Sequence, residues 1–145
     1  MVKVLVLVEG QTEEIFIKKL LAPHLQKMGV YLVAILLTTK QVKNGANFKG
    51  GIISYNKIKQ NLQKLFNDTS ATAVTTMFDY YGISNDFPGL KSIPKLDCYK
   101  QVEHVEAAFK KDIKESRLIP YIQLHEFEGL LLTLLKMIKR VNSVN

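Results

Sequence analysis

Five carboxylates stand where an α/β chain would put its chemistry. Glu9 follows the apolar run VKVLVLV, Asp79 follows ATAVTTMF, and Glu126 and Glu128 follow LIPYIQL. Glu13 lies four residues beyond Glu9, on the first turn of the helix expected after the Glu-Gly-Gln-Thr turn. Acids gathered on one rim repel one another unless a proton or a cation lies between them. Hard oxygen donors of this kind suit Mg²⁺ or Mn²⁺. Each acid also has a plainer reading. Glu13 and Glu14 at a helix start compensate its dipole, Asp79 caps the following turn, and His125, Glu126 and Glu128 form a helix-capping cluster. Glu9, after a buried strand and inside a glycine-containing turn, has the least structural reason to be there.

The elements that must position these acids alternate. Val2 to Val8 and Val30 to Leu37 are near-continuous apolar runs, the pattern of strands buried on both faces. Between them, Thr12 is the expected cap of a helix that buries Ile15, Phe16, Leu20 and Leu21, bends at Pro23 and stops at Gly29. Residues 38–53 carry three Gly and three Lys without periodicity and read as a loop. Ser54 is the expected cap of a helix through Asn67 that buries Ile58, Leu62, Leu65 and Phe66. Ala71 to Phe78 reads as a third strand, Lys100 to Glu115 as a helix, and Leu118 to Leu124 as a fourth strand placed at an edge by Pro120. An apolar helix, GLLLTLLKMIKR, is expected after His125. The expected fold is α/β: a four-stranded, mostly parallel, Rossmann-like sheet with helices on both faces, right-handed crossovers, and its functional crevice beyond the strands' carboxyl ends.

Composition narrows the function. The chain has 145 residues, 47% hydrophobic and 23% charged, which suits one folded domain over 1–145 and excludes disordered and low-complexity classes. A single cysteine, Cys98, excludes a disulfide scaffold and a cysteine-based zinc ribbon. No run reaches the length of a membrane span and no secretory signal is visible, so a soluble cytoplasmic protein is expected. Lys and Arg number 20 against 13 acids, and nine lysines fall between Ile15 and Asn67 with no acid among them. That is either a solvated basic face or a surface for a polyanion. Lysine in place of arginine favours phosphate contact over base reading, and Lys40, Lys43, Lys49, Lys57 and Lys59 are the candidate nucleic-acid contacts. Binding of that kind weakens tenfold or more between about 50 and 200 mM salt. The segment VEGQTE is neither a dinucleotide fingerprint nor a P-loop, and neither Cys98 nor any serine has the partners of a nucleophile.

Three segments, VLVEGQTEEIFIKKLLAPHL, MFDYYGISNDFPG and YIQLHEFEGLL, resemble the signatures of an uncharacterised prokaryotic family related to the TOPRIM domains of topoisomerases, bacterial primases and OLD-type nucleases. The resemblance implies a divalent metal, Mg²⁺ or Mn²⁺, held by Glu9, Glu13 and Asp79 for phosphodiester hydrolysis, with Glu126 or Glu128 completing the shell or acting as general base. It also implies a nucleic-acid substrate, DNA first, and a role in phage defence beside an ATPase partner. Two departures stand out. TOPRIM domains carry an Asp-x-Asp after their third strand, with Asp79 matching the first Asp and Tyr81 standing at the second, so Glu126, Glu128 or Asp86 would have to replace it. The chain also ends soon after HEFE, which implies a C-terminal truncation and an apolar face, Leu130 to Ile138, covered by a second copy or by the sheet. The alternative reading is a non-catalytic nucleic-acid-binding or partner-docking module. A phosphoacceptor domain using Asp79 is disfavoured, since such domains pair two acids after their first strand and place a lysine after their fifth. The metal reading requires Glu9 and Asp79 to lie within about 7 Å of one another, since one ion must bridge them.

Overall fold

The computed structural model describes residues 1–37, 53–125 and 129. β1 (Val2–Val8), β2 (Val30–Leu36) and β3 (Ala73–Asp79) are parallel, and the sheet runs β2-β1-β3-β4. Val8 is level with Leu36 on one side and Met77 on the other, so Glu9 and Asp79 leave the sheet at the same rim. The sheet is α/β and Rossmann-like, as the apolar runs predict.

The fourth strand differs from expectation. It is divided at Pro120 into β4 (Leu118–Ile119) and β5 (Ile122–Gln123), both parallel to β3. Proline has no N–H to give to a ladder, so pairing stops there. Thr76, only 1% exposed, closes the gap. Its hydroxyl donates to the Tyr121 carbonyl at 2.9 Å and accepts the Tyr121 N–H at 3.1 Å.

Alternation of side chains gives the sheet two cores. On one face, Leu5, Leu7, Val74 and Phe78 pack under α3 (Tyr55–Phe66) and α4 (Cys98–Ile113). α3 contributes Ile58, Leu62 and Leu65, and α4 contributes Val102, Val105 and Phe109, each a stripe at helical spacing. On the other face, Val6, Val8, Ala34 and Met77 pack against Ile17. That residue lies in a helical run of α1 (Gln11–Phe16), a π turn (Ile17–Leu21) and α2 (Ala22–Gln26). The expected inward face of this run is corrected: Ile15 and Leu20 are 52% and 58% exposed, Phe16 and Leu21 are half-buried, and Ile17 takes the inward position. An extra residue in a π turn carries later side chains about 100° round the helix, which moves Leu20 off the sheet. Ile15, Phe16, Leu20, Thr12 and Lys19 line an outward concavity of about 390 Å³.

One expected cap is corrected: Gly10, not Thr12, is the N-cap of α1, and its carbonyl accepts the Glu14 N–H at 3.2 Å. Ser54 is the N-cap of α3 as expected, through its carbonyl, which accepts the Lys57 N–H at 3.0 Å, and not through its side chain. Asp86, from a distant loop, accepts the Tyr55 N–H at 3.2 Å instead. Among the described residues, no helix is long and apolar enough to cross a membrane.

Candidate active site

The loop that follows Asp79 is tied down before it reaches α4. It opens with a 3₁₀ turn, Tyr80–Gly82, and Ile83 and Phe87 then enter the core. The Phe87 ring packs at 4.8 Å from Phe109 and 5.1 Å from Tyr55, centroid to centroid. Asp86 accepts from Ser84 Oγ as well as from Tyr55 N–H, and these donors hold its carboxyl below the usual range. Asp86 is therefore spent on joining loop to helix, which leaves it a poor replacement for the acid missing at Tyr81. Further along, Gly89 adopts φ 86°, and a β-carbon there would meet Ala108 Cβ at 2.9 Å. Only glycine lets the loop pass this close to α4.

This anchoring fixes Gly82 between the two strand-end acids. The point where a Gly82 β-carbon would sit lies 3.5 Å from Glu9 Oε2 and 3.7 Å from Asp79 Cβ. Glu13 approaches from the first turn of α1, its Oε2 at 2.8 Å from the point where a Gly10 β-carbon would sit. The absence of a side chain at Gly10 is what leaves Glu13 its room. Glu9 is pushed up to about 7 by burial first, then by the charges of Asp79 and Glu13. Among the described residues, no lysine or arginine forms an ion pair with Glu9 or Glu13. Glu14 pairs with Lys18 on the solvent side of the helix, in keeping with its reading as an ordinary helix-start acid.

The break at Pro120 brings residues to the rim that sequence reasoning missed. Gln123 is level with Asp79 in the register between β3 and β5. Tyr121, two residues earlier, hydrogen-bonds the Gln123 side chain through its hydroxyl. Burial raises the Tyr121 phenol, and the charges of Glu106 and Asp79 raise it further. Glu106 on α4 accepts the Ile122 N–H at 2.7 Å and so pins β5, while burial raises its own carboxyl. Pro120 was the available signal, because a strand interrupted at a sheet edge turns its backbone out of register.

The other candidates separate. Lys57 is exposed on α3. Lys59 bonds Asp112 at 2.9 Å and lies 5.5 Å above the Tyr55 ring. Tyr81 is 72% exposed. His104 contacts Ser92 Oγ at 3.1 Å, and His24 is exposed on α2. Glu126, Glu128, Lys40, Lys43, Lys49 and the segment Leu130 to Ile138 lie outside the described residues.

The donor set suits a divalent cation in chemistry. Glu9 brings carboxylate oxygens, and Asp79 its β-carbon, close to Gly82, and the Glu9 carboxyl is raised first by burial and then by the charges of Asp79 and Glu13. As the side chains stand, no group of three or more His, Cys, Asp or Glu among the described residues is drawn together closely enough to hold an ion. Mg²⁺ is commonly held by one or two carboxylates, its remaining positions filled by water and substrate phosphate, so the pair fits that cation.

The model of a family described as a domain of unknown function (DUF4276) matches residues 8–145, and the chain belongs to that family. No curated protein and no solved structure matches the chain.

Proposed function

We propose that this member of the DUF4276 family is a TOPRIM-like hydrolase that cuts nucleic-acid phosphodiesters with the help of Mg²⁺ or Mn²⁺. The observation that carries the reading is the approach of the Glu9 carboxylate and the Asp79 β-carbon to Gly82, with Glu9 pushed up to about 7 by burial, Asp79 and Glu13. Carboxylates kept together at that cost are best explained by a cation as their purpose. When bound, the cation polarises the scissile phosphate and orients water. Glu9 releases its proton as positive charge arrives and offers a carboxylate oxygen beside that of Asp79. Glu13, on a helix start that tolerates negative charge, adds to the field. Glu126 or Glu128 supplies the remaining ligand or the general base. Lysines, Lys57 among them, steer the phosphate backbone. DNA is the favoured substrate, and a second copy of the chain and an ATPase acting in phage defence are the proposed partners.

Cleavage of plasmid and single-stranded DNA in Mg²⁺ or Mn²⁺ tests this. Glu9→Gln is expected to lower the rate on the order of a thousandfold, equivalent to about 4 kcal/mol of barrier. Cleavage that survives the substitution, or a wild-type protein inert on both substrates with either metal, overturns the reading. Tyr81 at the position of a second acid favours the other reading, a binding module without catalysis, and that second outcome would select it.

A further inference from the structure

Two exposed tyrosines stand next to the residues that carry the carboxylates: Tyr81 precedes Gly82, and Tyr121 feels the charge of Asp79. Tyr81 is 72% exposed one residue before Gly82, and Tyr121 is 45% exposed beside the strand pair that carries Asp79. Both are braced. Tyr80, half-buried against the main core, meets the Tyr81 ring edge-on at 5.3 Å and 76°. The Tyr80 hydroxyl approaches Gln101 Oε1 of α4 at 3.5 Å. Tyr121 is held through its backbone by Thr76 and through its hydroxyl by Gln123. An aromatic ring held at the surface near acidic residues offers a face on which another ring can stack.

The kind of nucleic acid follows from what such a ring can meet. A duplex keeps its bases stacked on one another and presents mainly phosphates. An unpaired base offers a free face, and stacking one on an aromatic ring contributes about 1–3 kcal/mol without regard to sequence. The basic residues of the chain are 18 lysines and two arginines, and lysine holds backbone and leaves bases unread. Resting on the hydrolase reading of this same site, we infer that Tyr81 and Tyr121 stack unpaired bases on either side of Glu9 and Asp79, and that the substrate is single-stranded nucleic acid. Tyr81 thereby gains a role at the position where the resemblance calls for an acid.

Fluorescence anisotropy with labelled oligothymidylate and with a blunt duplex of equal length tests this, in Ca²⁺ and on a Glu9→Gln background so that no cleavage intervenes. The single strand is expected to bind more tightly. Tyr81→Ala should weaken it roughly tenfold and Tyr81→Phe should restore it, because the ring and not the hydroxyl does the stacking. Tyr121→Ala should weaken it likewise, and Tyr81, being exposed, keeps the test open if the Tyr121 variant fails to fold. Equal or tighter binding of the duplex, no binding of either probe, or alanine variants that bind the single strand as the parent does, would overturn the inference. Cleavage of duplex DNA that depends on Glu9 and ignores both tyrosines would overturn it while the hydrolase reading stands. Tyrosine-dependent binding of the single strand without any metal-dependent cleavage would remove the hydrolase and leave the stacking surface.

Discussion

The two ends of the parallel sheet treat charge in opposite ways. At the amino end every described acid near the strands is neutralised. Lys3 on β1 bonds Asp68 at 2.7 Å and Ser70 at 2.9 Å, and these partners hold the Asp68 carboxyl at about 2. Arg117, just before β4, donates to the carbonyls of Phe66, Asp68 and Ala71 at 2.7, 3.0 and 3.4 Å, and its Nε reaches Glu115 at 3.3 Å. At the carboxyl end, Glu9 faces Asp79 and Glu13 and is pushed up to about 7. A chain with 20 basic residues had cations to spare for Glu9. Their use at the other end separates a scaffold of matched charges from a Glu9 that has no ion-pair partner among the described residues.

The largest effect that sharpens this contrast is the pH dependence of stability. A raised folded pKa means that the native state holds the Glu9 proton more tightly than the unfolded chain does. The contribution is complete below the ordinary carboxylate range and is lost as pH rises through about 7. Stability is expected to fall by up to about 3 kcal/mol between pH 5 and 8. Glu9→Gln should flatten that slope and be the more stable protein at pH 8, while Mg²⁺ should raise the wild-type melting temperature there and not the variant's. A slope that persists in Glu9→Gln would break the contrast.

The next effect belongs to the amino end. Arg117→Met removes the donors from three carbonyls and should destabilise by about 2 kcal/mol, read as a lower urea midpoint, without altering cation binding. Smaller again is Asp68→Asn. Its carboxylate is depressed, so its contribution is present above the ordinary carboxylate range and lost as pH falls towards 2. The substitution should soften acid unfolding slightly, because the pair is solvent-screened, and leave the limb above pH 5 untouched. An effect of Asp68→Asn on that upper limb would mean that the two ends are coupled.

What was legible in the sequence was whatever depends on neighbours along the chain. The runs VKVLVLV and ATAVTTMF could only be strands buried on both faces, because no helix pattern accommodates them. The stripes of α3 and α4 set their own inward faces. Strand ends then located Glu9 and Asp79, since parallel strands deliver their last residues to one rim. Glu13 followed from a helix that starts directly after Glu9, which puts it on the first turn.

What failed was whatever depends on a distant partner. Thr12 has the chemistry of a cap, yet Gly10 starts that helix, and while Ser54 does start α3, the side chain that accepts from its first turn is Asp86, from a loop 31 residues beyond Tyr55. Ile15 and Leu20 fit an inward stripe, but a π turn rotates Leu20 off the sheet and Ile17 takes the inward place. Pro120 announced an irregular strand without revealing that Thr76 would bridge the break or that Tyr121 would arrive beside Asp79.

The sequence by itself determined the parallel α/β sheet and the rim on which its acids would gather, because periodicity and strand direction are local properties of the chain. Only the tertiary structure decided the charge of that rim. Coulomb energy and desolvation depend on which groups lie within a few ångströms, and packing placed Lys3 and Arg117 at one end of the sheet while leaving Glu9 among acids at the other.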